Sequence, residues 1–159
     1  MSGPDLLAWI AAWPVAVALR GSATLYLFVN AAHILSIGLL VGAIVPLDLR
    51  LLGFFGNVPV NVVGPFLSRM AAAGLFLAIV TGFCLFSVRP VAYAGNIAFL
   101  TKIALLCFGV VNALLLHLHP HWRAAIAGGS PSMRVRLAAF ASLLVWAGAV
   151  LAGRWIGFL

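Results

Sequence analysis

One lysine, four histidines and two carboxylates, Asp5 and Asp48, carry most of the titratable chemistry of this 159-residue chain. Nearly all of them stand inside apolar sequence. His33 and Asp48 share the run from Asn30 to Arg50, NAAHILSIGLLVGAIVPLDLR, with Asn30 and Ser36. Neutral imidazole ligates haem iron, copper and zinc, so His33 is a candidate haem or metal ligand. The plainer reading is a neutral core histidine bonded to Asn30, Thr81 or a carbonyl, locking helices together. Proton handling is a third role for an intramembrane histidine. His117 is the obvious second axial ligand for a haem. Lys102, the only lysine, would hold an anionic substrate or a quinone oxygen near His33, or else snorkel to the interface along its apolar stem.

An unpaired carboxylate in apolar sequence is expensive, so Asp48 is expected to pair with Arg69 or Arg50. His117-Leu118-His119-Pro120-His121 is the densest donor cluster. Pro120 disfavours helix at His119, so His117 and His121 need not share a face. The cluster then reads as polar caps at a helix end, or as a surface metal site whose metal the sequence does not name. Cys84 and Cys107 sit in apolar runs without CxxC spacing and read as small core residues. No HExxH, Walker loop or GxSxG occurs. With two acids in the chain, carboxylate acid–base chemistry is poorly supplied, and soluble-type enzyme function is not expected.

The elements that must hold these residues follow from composition. The chain is 65% hydrophobic and 7% charged, with a mean hydropathy of +1.24. Soluble domains carry about a quarter charged residues, so this is one compact membrane domain. The formal net charge of +7 does not imply nucleic acid, because the basic residues are scattered singly and form no stripe that tracks phosphates. They read as anchors to the lipid headgroups. Apolar length and punctuation predict spans over about 22–46, 65–88, 96–118 and 135–156, each near the twenty residues a bilayer needs. Gly, Pro and Asn in residues 53–65 and Gly128-Gly129-Ser130-Pro131 mark polar loops. Ahead of the spans, about 4–19 predicts an interfacial amphipathic helix with Trp9 and Trp13 at headgroup level and Arg20 reaching the surface. The fold class is all-α, an integral membrane four-helix bundle. Gly38-Leu39-Leu40-Val41-Gly42 has the GxxxG spacing that admits a second helix backbone, and the polar side chains of Asn30, His33, Ser36 and Asp48, costly in hydrocarbon, would make the first span central.

Depth along the spans, at about 1.5 Å per residue, sorts the polar residues into two layers. Asn30, His33, Thr81 and Lys102 fall near one end. Asp48, Arg50, Arg69 and His117 fall near the other. His33 and His117 are thus too far apart in depth for one haem, unless the helices are steeply offset or a second chain contributes. The excess of arginine in the two loops after the first and third spans predicts that they are cytoplasmic, with both termini on the periplasmic side of a bacterial inner membrane.

Trp13-Pro14, Arg20, His33, Gly42 and Asp48-Leu49-Arg50-Leu51-Leu52-Gly53 resemble a family of small bacterial membrane proteins of unknown function. The similarity continues through Thr81-Gly82, Leu85-Phe86, Pro90, Asn96, Phe99-Leu100-x-Lys102 and Asn112-Ala113-Leu114-Leu115-Leu116-His117. The resemblance implies a four-helix membrane protein with these positions as its polar signature, Asn112 included. It implies no activity.

Three functional readings follow, in this order. The first is a non-catalytic accessory or assembly subunit that meets a membrane protein partner, or a second copy of itself, through its Gly-rich faces. The second is a b-type cytochrome-like electron carrier with His33 as a haem ligand. The third is a small transporter or proton path through His33, Lys102 and Asp48, for which four unbroken helices leave little room.

Overall fold

The computed structural model describes residues 3–158, which form helices and short connections with no strand among the described residues. The chain opens with α1 (Gly3–Ala11) and α2 (Pro14–Gly21). The single helix expected over 4–19 is therefore two. Pro14 occupies the first turn of α2, where its missing N–H has no intrahelical partner to lose. Arg20 is exposed at the surface and also bonds two carbonyls. Its guanidinium donates to the Ala11 carbonyl at the end of α1 (2.5 Å) and to the Val88 carbonyl (3.2 Å), tying two helix ends to α2.

Six helices follow: α3 (Ala23–Leu52), α4 (Val60–Val88), α5 (Pro90–Ala94), α6 (Ile97–Leu118), α7 (Pro120–Ile126) and α8 (Met133–Trp155), with a last 3-10 turn at Ile156–Phe158. The four longest, α3, α4, α6 and α8, are long and apolar enough to cross a membrane. The fold is an all-α membrane four-helix bundle with its N-terminal helical segment packed at one end.

The punctuation acts differently from its sequence reading at three places. Pro46 does not end the first span. It sits inside α3, where it removes one backbone bond, a loss that membrane helices tolerate. The helix stops instead at Gly53, whose φ of 111° is open to glycine and whose N–H caps the Arg50 and Leu49 carbonyls. α4 starts at Val60 rather than Pro65, so Pro65 lies within it. The connection after α6 is largely helix: Pro120 ends α6 by starting α7, and Trp122 and Ala125 of α7 are buried. Trp122 packs with Leu47, Leu51, Val60, Val135 and Ala139 to plug that end of the bundle.

Each long helix buries a seam with alternating steps of about three and four residues, the repeat of left-handed helix packing. In α4 the seam runs Val60, Gly64, Leu67, Ala71, Gly74 to Thr81. In α6 it includes Ala98, Lys102, Gly109 and Asn112, and in α8 Val135, Ala139, Ser142, Trp146 and Ala149. α3 packs against both α4 and α8, and α6 packs against α8. The sequence is right that α3 is central. Its GxxxG is not the reason, because Gly38 and Gly42 face outward with nothing within 4 Å of an added Cβ. The close crossing is at Gly74, where an added Cβ would lie 2.6 Å from the Leu40 backbone nitrogen.

Candidate functional site

The seams carry the polar residues, and their positions decide which of them meet. His33 on α3 faces Thr81 and Gly82 on α4. Its Nδ1 lies 2.9 Å from the Thr81 hydroxyl oxygen, and the Ala78 carbonyl, one turn before Gly82, adds a second acceptor. The Thr81 hydroxyl donates its only proton to the Leu77 carbonyl (2.6 Å). Its oxygen therefore accepts from His33, and in the neutral ring the proton resides on Nδ1. The Nε2 lone pair is left with no hydrogen bond among the described residues. Gly82 makes room for this ring: a Cβ there would stand 3.0 Å from His33 Cε1.

Lys102 on α6 joins this layer. It is half-buried and acts electrostatically on His33. Its stem and ammonium lie along the end of α8, 3.5 Å from where a Cβ of Gly153 would be. The last turn of α8 suits a cation, because its carbonyls present the negative end of the helix dipole. Asn30 does not join the layer. It is exposed and its side chain makes no hydrogen bond among the described residues, because it lies further round α3 from the buried seam than His33 does.

An aromatic cluster closes the bundle next to this layer, and sequence reading missed it. Phe86 stacks on Phe99 at 5.3 Å between centroids, joining α4 to α6. Tyr93 of α5 meets both rings, and Trp13 meets Phe83. Tyr93 also hydrogen-bonds Tyr26, and burial pushes its phenol above the ordinary range. The available signal was nearness in the chain, with Phe86 five positions beyond Thr81 and Phe99 three before Lys102. Nothing in the sequence alone set the two helices side by side.

The second layer does not form as one cluster. Asp48 is 5% exposed, and its hydrogen-bonding neighbour is Ser142 of α8. Its Oδ2 has no partner, and it has no ion pair among the described residues. The expected pairing with Arg50 or Arg69 is absent for a geometric reason. Residues two apart on a helix point to different sides, and Arg50 turns down to the loop, where it donates to the Val58 and Gly56 carbonyls. Arg69 is exposed on α4. His117 donates Nδ1–H to the Ala113 carbonyl (2.7 Å), so the neutral ring accepts the Ser68 hydroxyl at Nε2 (3.0 Å). Asn112 donates to the Ala138 carbonyl (3.0 Å), tying α6 to α8.

The structure does not bring His33 and His117 together. Their partners on α4, Thr81 and Ser68, are thirteen residues apart, roughly 20 Å of helix. Both nitrogens of His117 are engaged as well. His119 and His121 stack on each other at 4.6 Å, but no group of three or more His, Cys, Asp or Glu gathers among the described residues. Asp48 is likewise remote from His33 and Lys102, with the apolar cluster of Leu40, Ala43, Ala71 and Trp146 between them.

A family model described as "Family of unknown function (DUF6644)" matches residues 18–159. The chain belongs to this family. The DUF6644 match takes in both polar layers and all four long helices, while α1 lies outside it. It agrees with the resemblance drawn from the His33 and Lys102 segments, to a family without an assigned activity. No curated protein and no solved structure matches the chain.

Proposed function

We propose that this DUF6644 protein is a membrane electron carrier of b-type cytochrome character, with His33 as an axial ligand. The observation that carries the reading is the contact of His33 Nδ1 with the Thr81 hydroxyl oxygen at 2.9 Å. Thr81 fixes the ring and holds the proton on Nδ1, leaving Nε2 with a free lone pair. Metal-bound histidines are commonly oriented in this way, by a hydrogen bond from the second ring nitrogen.

The neighbouring residues fit such a group. Lys102 is the other nitrogen donor acting at this level, and the Phe86–Phe99 stack offers a flat apolar wall beside it. Arg89, exposed at the same end, is a cation available there to acidic substituents of a macrocycle. A bound haem would supply one-electron transfer. The chain's own part is to hold the imidazole and to exclude water with the aromatic rings. His117 has no part in it. Titration of haem into protein made under haem limitation tests the reading. A Soret band should grow to saturation in the wild type and in His117→Ala alike.

A second reading, the accessory or assembly subunit, is favoured by the packing of the same ring. His33 fills the space over Gly82 and links α3 to α4 with or without a cofactor. Under that reading the titration gives no saturable band. In both readings the protein belongs to the bacterial inner membrane. The end bearing Arg50, Arg69, Arg123, Arg134 and Arg136 is then cytoplasmic by the positive-inside bias.

A further inference from the structure

The arginine-rich end of the bundle has a charge problem that the protein does not solve for itself. Arg50, Arg69, Arg123, Arg134 and Arg136 all lie there, and the chain has two acids. Asp5 is in α1, at the opposite end. Asp48 is buried and forms no ion pair with any of them. Counter-charge for this surface must come from outside the chain.

One groove at this end is shaped to receive it. A cavity of about 150 Å³ opens between the end of α6 and the start of α8. Leu115, Leu116 and Val135 form its apolar wall, and Asn112, His119, His121 and Arg134 its polar rim. The rim is rich in donors. His119 accepts the His121 backbone N–H at Nδ1, so its neutral ring carries the proton at Nε2, free to donate. Arg134 is exposed on the first turn of α8. Asn112 is held in the rim by its bond to the Ala138 carbonyl. Because the groove joins two helix ends, it sits at the level where lipid headgroups meet hydrocarbon.

We infer that this groove binds a phospholipid with a net negative headgroup. The phosphate meets Arg134 and the His119 and His121 rings, and an acyl chain lies along Leu115 and Leu116, away from the helix ends and into the hydrocarbon. The apolar wall separates a lipid from a free anion. An inorganic phosphate would use the rim alone, and the wall would remain uncovered. Basic pockets between membrane helices hold anionic headgroups for this combination of reasons. The inference does not depend on His33 or on any cofactor, since the two sites lie at opposite ends of the bundle.

Lipid titration tests it on the full chain in mild detergent, with bound lipid counted by native mass spectrometry. Phosphatidylglycerol should bind in preference to phosphatidylcholine of the same acyl chains. Arg134→Gln should weaken the phosphatidylglycerol adduct about five-fold, the worth of one arginine near a headgroup. Arg69→Gln removes the same charge outside the groove and should leave the adduct unchanged. Leu116→Trp, which fills the wall, should also weaken it while the His33 end stays intact. Inorganic phosphate at millimolar concentration should not displace the lipid. Equal binding of the two lipids would overturn the inference, as would equal loss in the two arginine variants, which would mean diffuse surface charge. Displacement by phosphate would assign the rim to a free anion instead.

Discussion

Gly74 and Leu40 mark the closest approach of α3 and α4: a Cβ on Gly74 would stand 2.6 Å from the Leu40 nitrogen and 2.9 Å from its Cα. Both obstacles are backbone, so neither can turn aside. Gly74→Ala must push the helices apart and is expected to cost about 1–3 kcal/mol, as overpacking does. Gly38→Ala and Gly42→Ala meet nothing and should stay within about 0.5 kcal/mol of the wild type. Thermal unfolding in one detergent compares all three. Equal losses at Gly42 and Gly74 would mean that α3 uses its outward glycines in an oligomer.

That contrast shows where the sequence is legible and where it is not. Span length and apolar content fix four crossings, because a bilayer imposes a length on any helix. GxxxG gives permission for a close approach but does not say which face of the helix meets its neighbour. Gly74 was preceded by a run of small residues, Ala71-Ala72-Ala73, that carried the same permission without the familiar spacing. Prolines misled in a related way. Pro46 and Pro65 read as ends, yet each sits within a long helix, whose packing outweighs one lost backbone bond. Thr81 as a partner of His33 was visible from depth counting. The Asp48–Arg50 pairing was not a good inference, because adjacency in sequence concealed opposite directions on the helix.

Asp48 and Arg50 therefore have separable roles. Asp48 has no cation to lose, so Asp48→Asn keeps the Ser142 contact and should change stability by no more than about 1 kcal/mol. Arg50→Gln releases the Val58 and Gly56 carbonyls and should cost about 1–3 kcal/mol, the worth of charged hydrogen bonds. A destabilisation by Asp48→Asn as large as that of Arg50→Gln would reveal an ion pair between them after all.

His117 is expected to act as a link between helices. His117→Ala and Ser68→Ala each remove the same contact between α6 and α4 and should cost about 0.5–1.5 kcal/mol. A double variant should cost little more than the larger single loss, because the two residues share one bond. Additive losses in this cycle would show that His117 and Ser68 are not coupled through that bond.

Thr81 should influence the His33 site without abolishing it. Thr81→Val keeps the shape and removes the oxygen that holds Nδ1–H, so haem affinity should fall about 10–100-fold, as for other lost outer partners of a ligand. Gly82→Val should act more severely, since its side chain would occupy the space of the His33 ring. If Thr81→Val binds haem as tightly as the wild type, Thr81 does not orient the ligand.

The most direct test is a visible spectrum of the detergent-purified protein, oxidised and then reduced with dithionite, made with ample haem supply. His33→Ala and His33→Gln are measured beside it. The account predicts a Soret band with α and β bands on reduction in the wild type, lost in both variants while their helical circular dichroism is retained. A colourless wild-type protein, or a spectrum that survives both replacements, would contradict it and leave His33 as a structural link between α3 and α4.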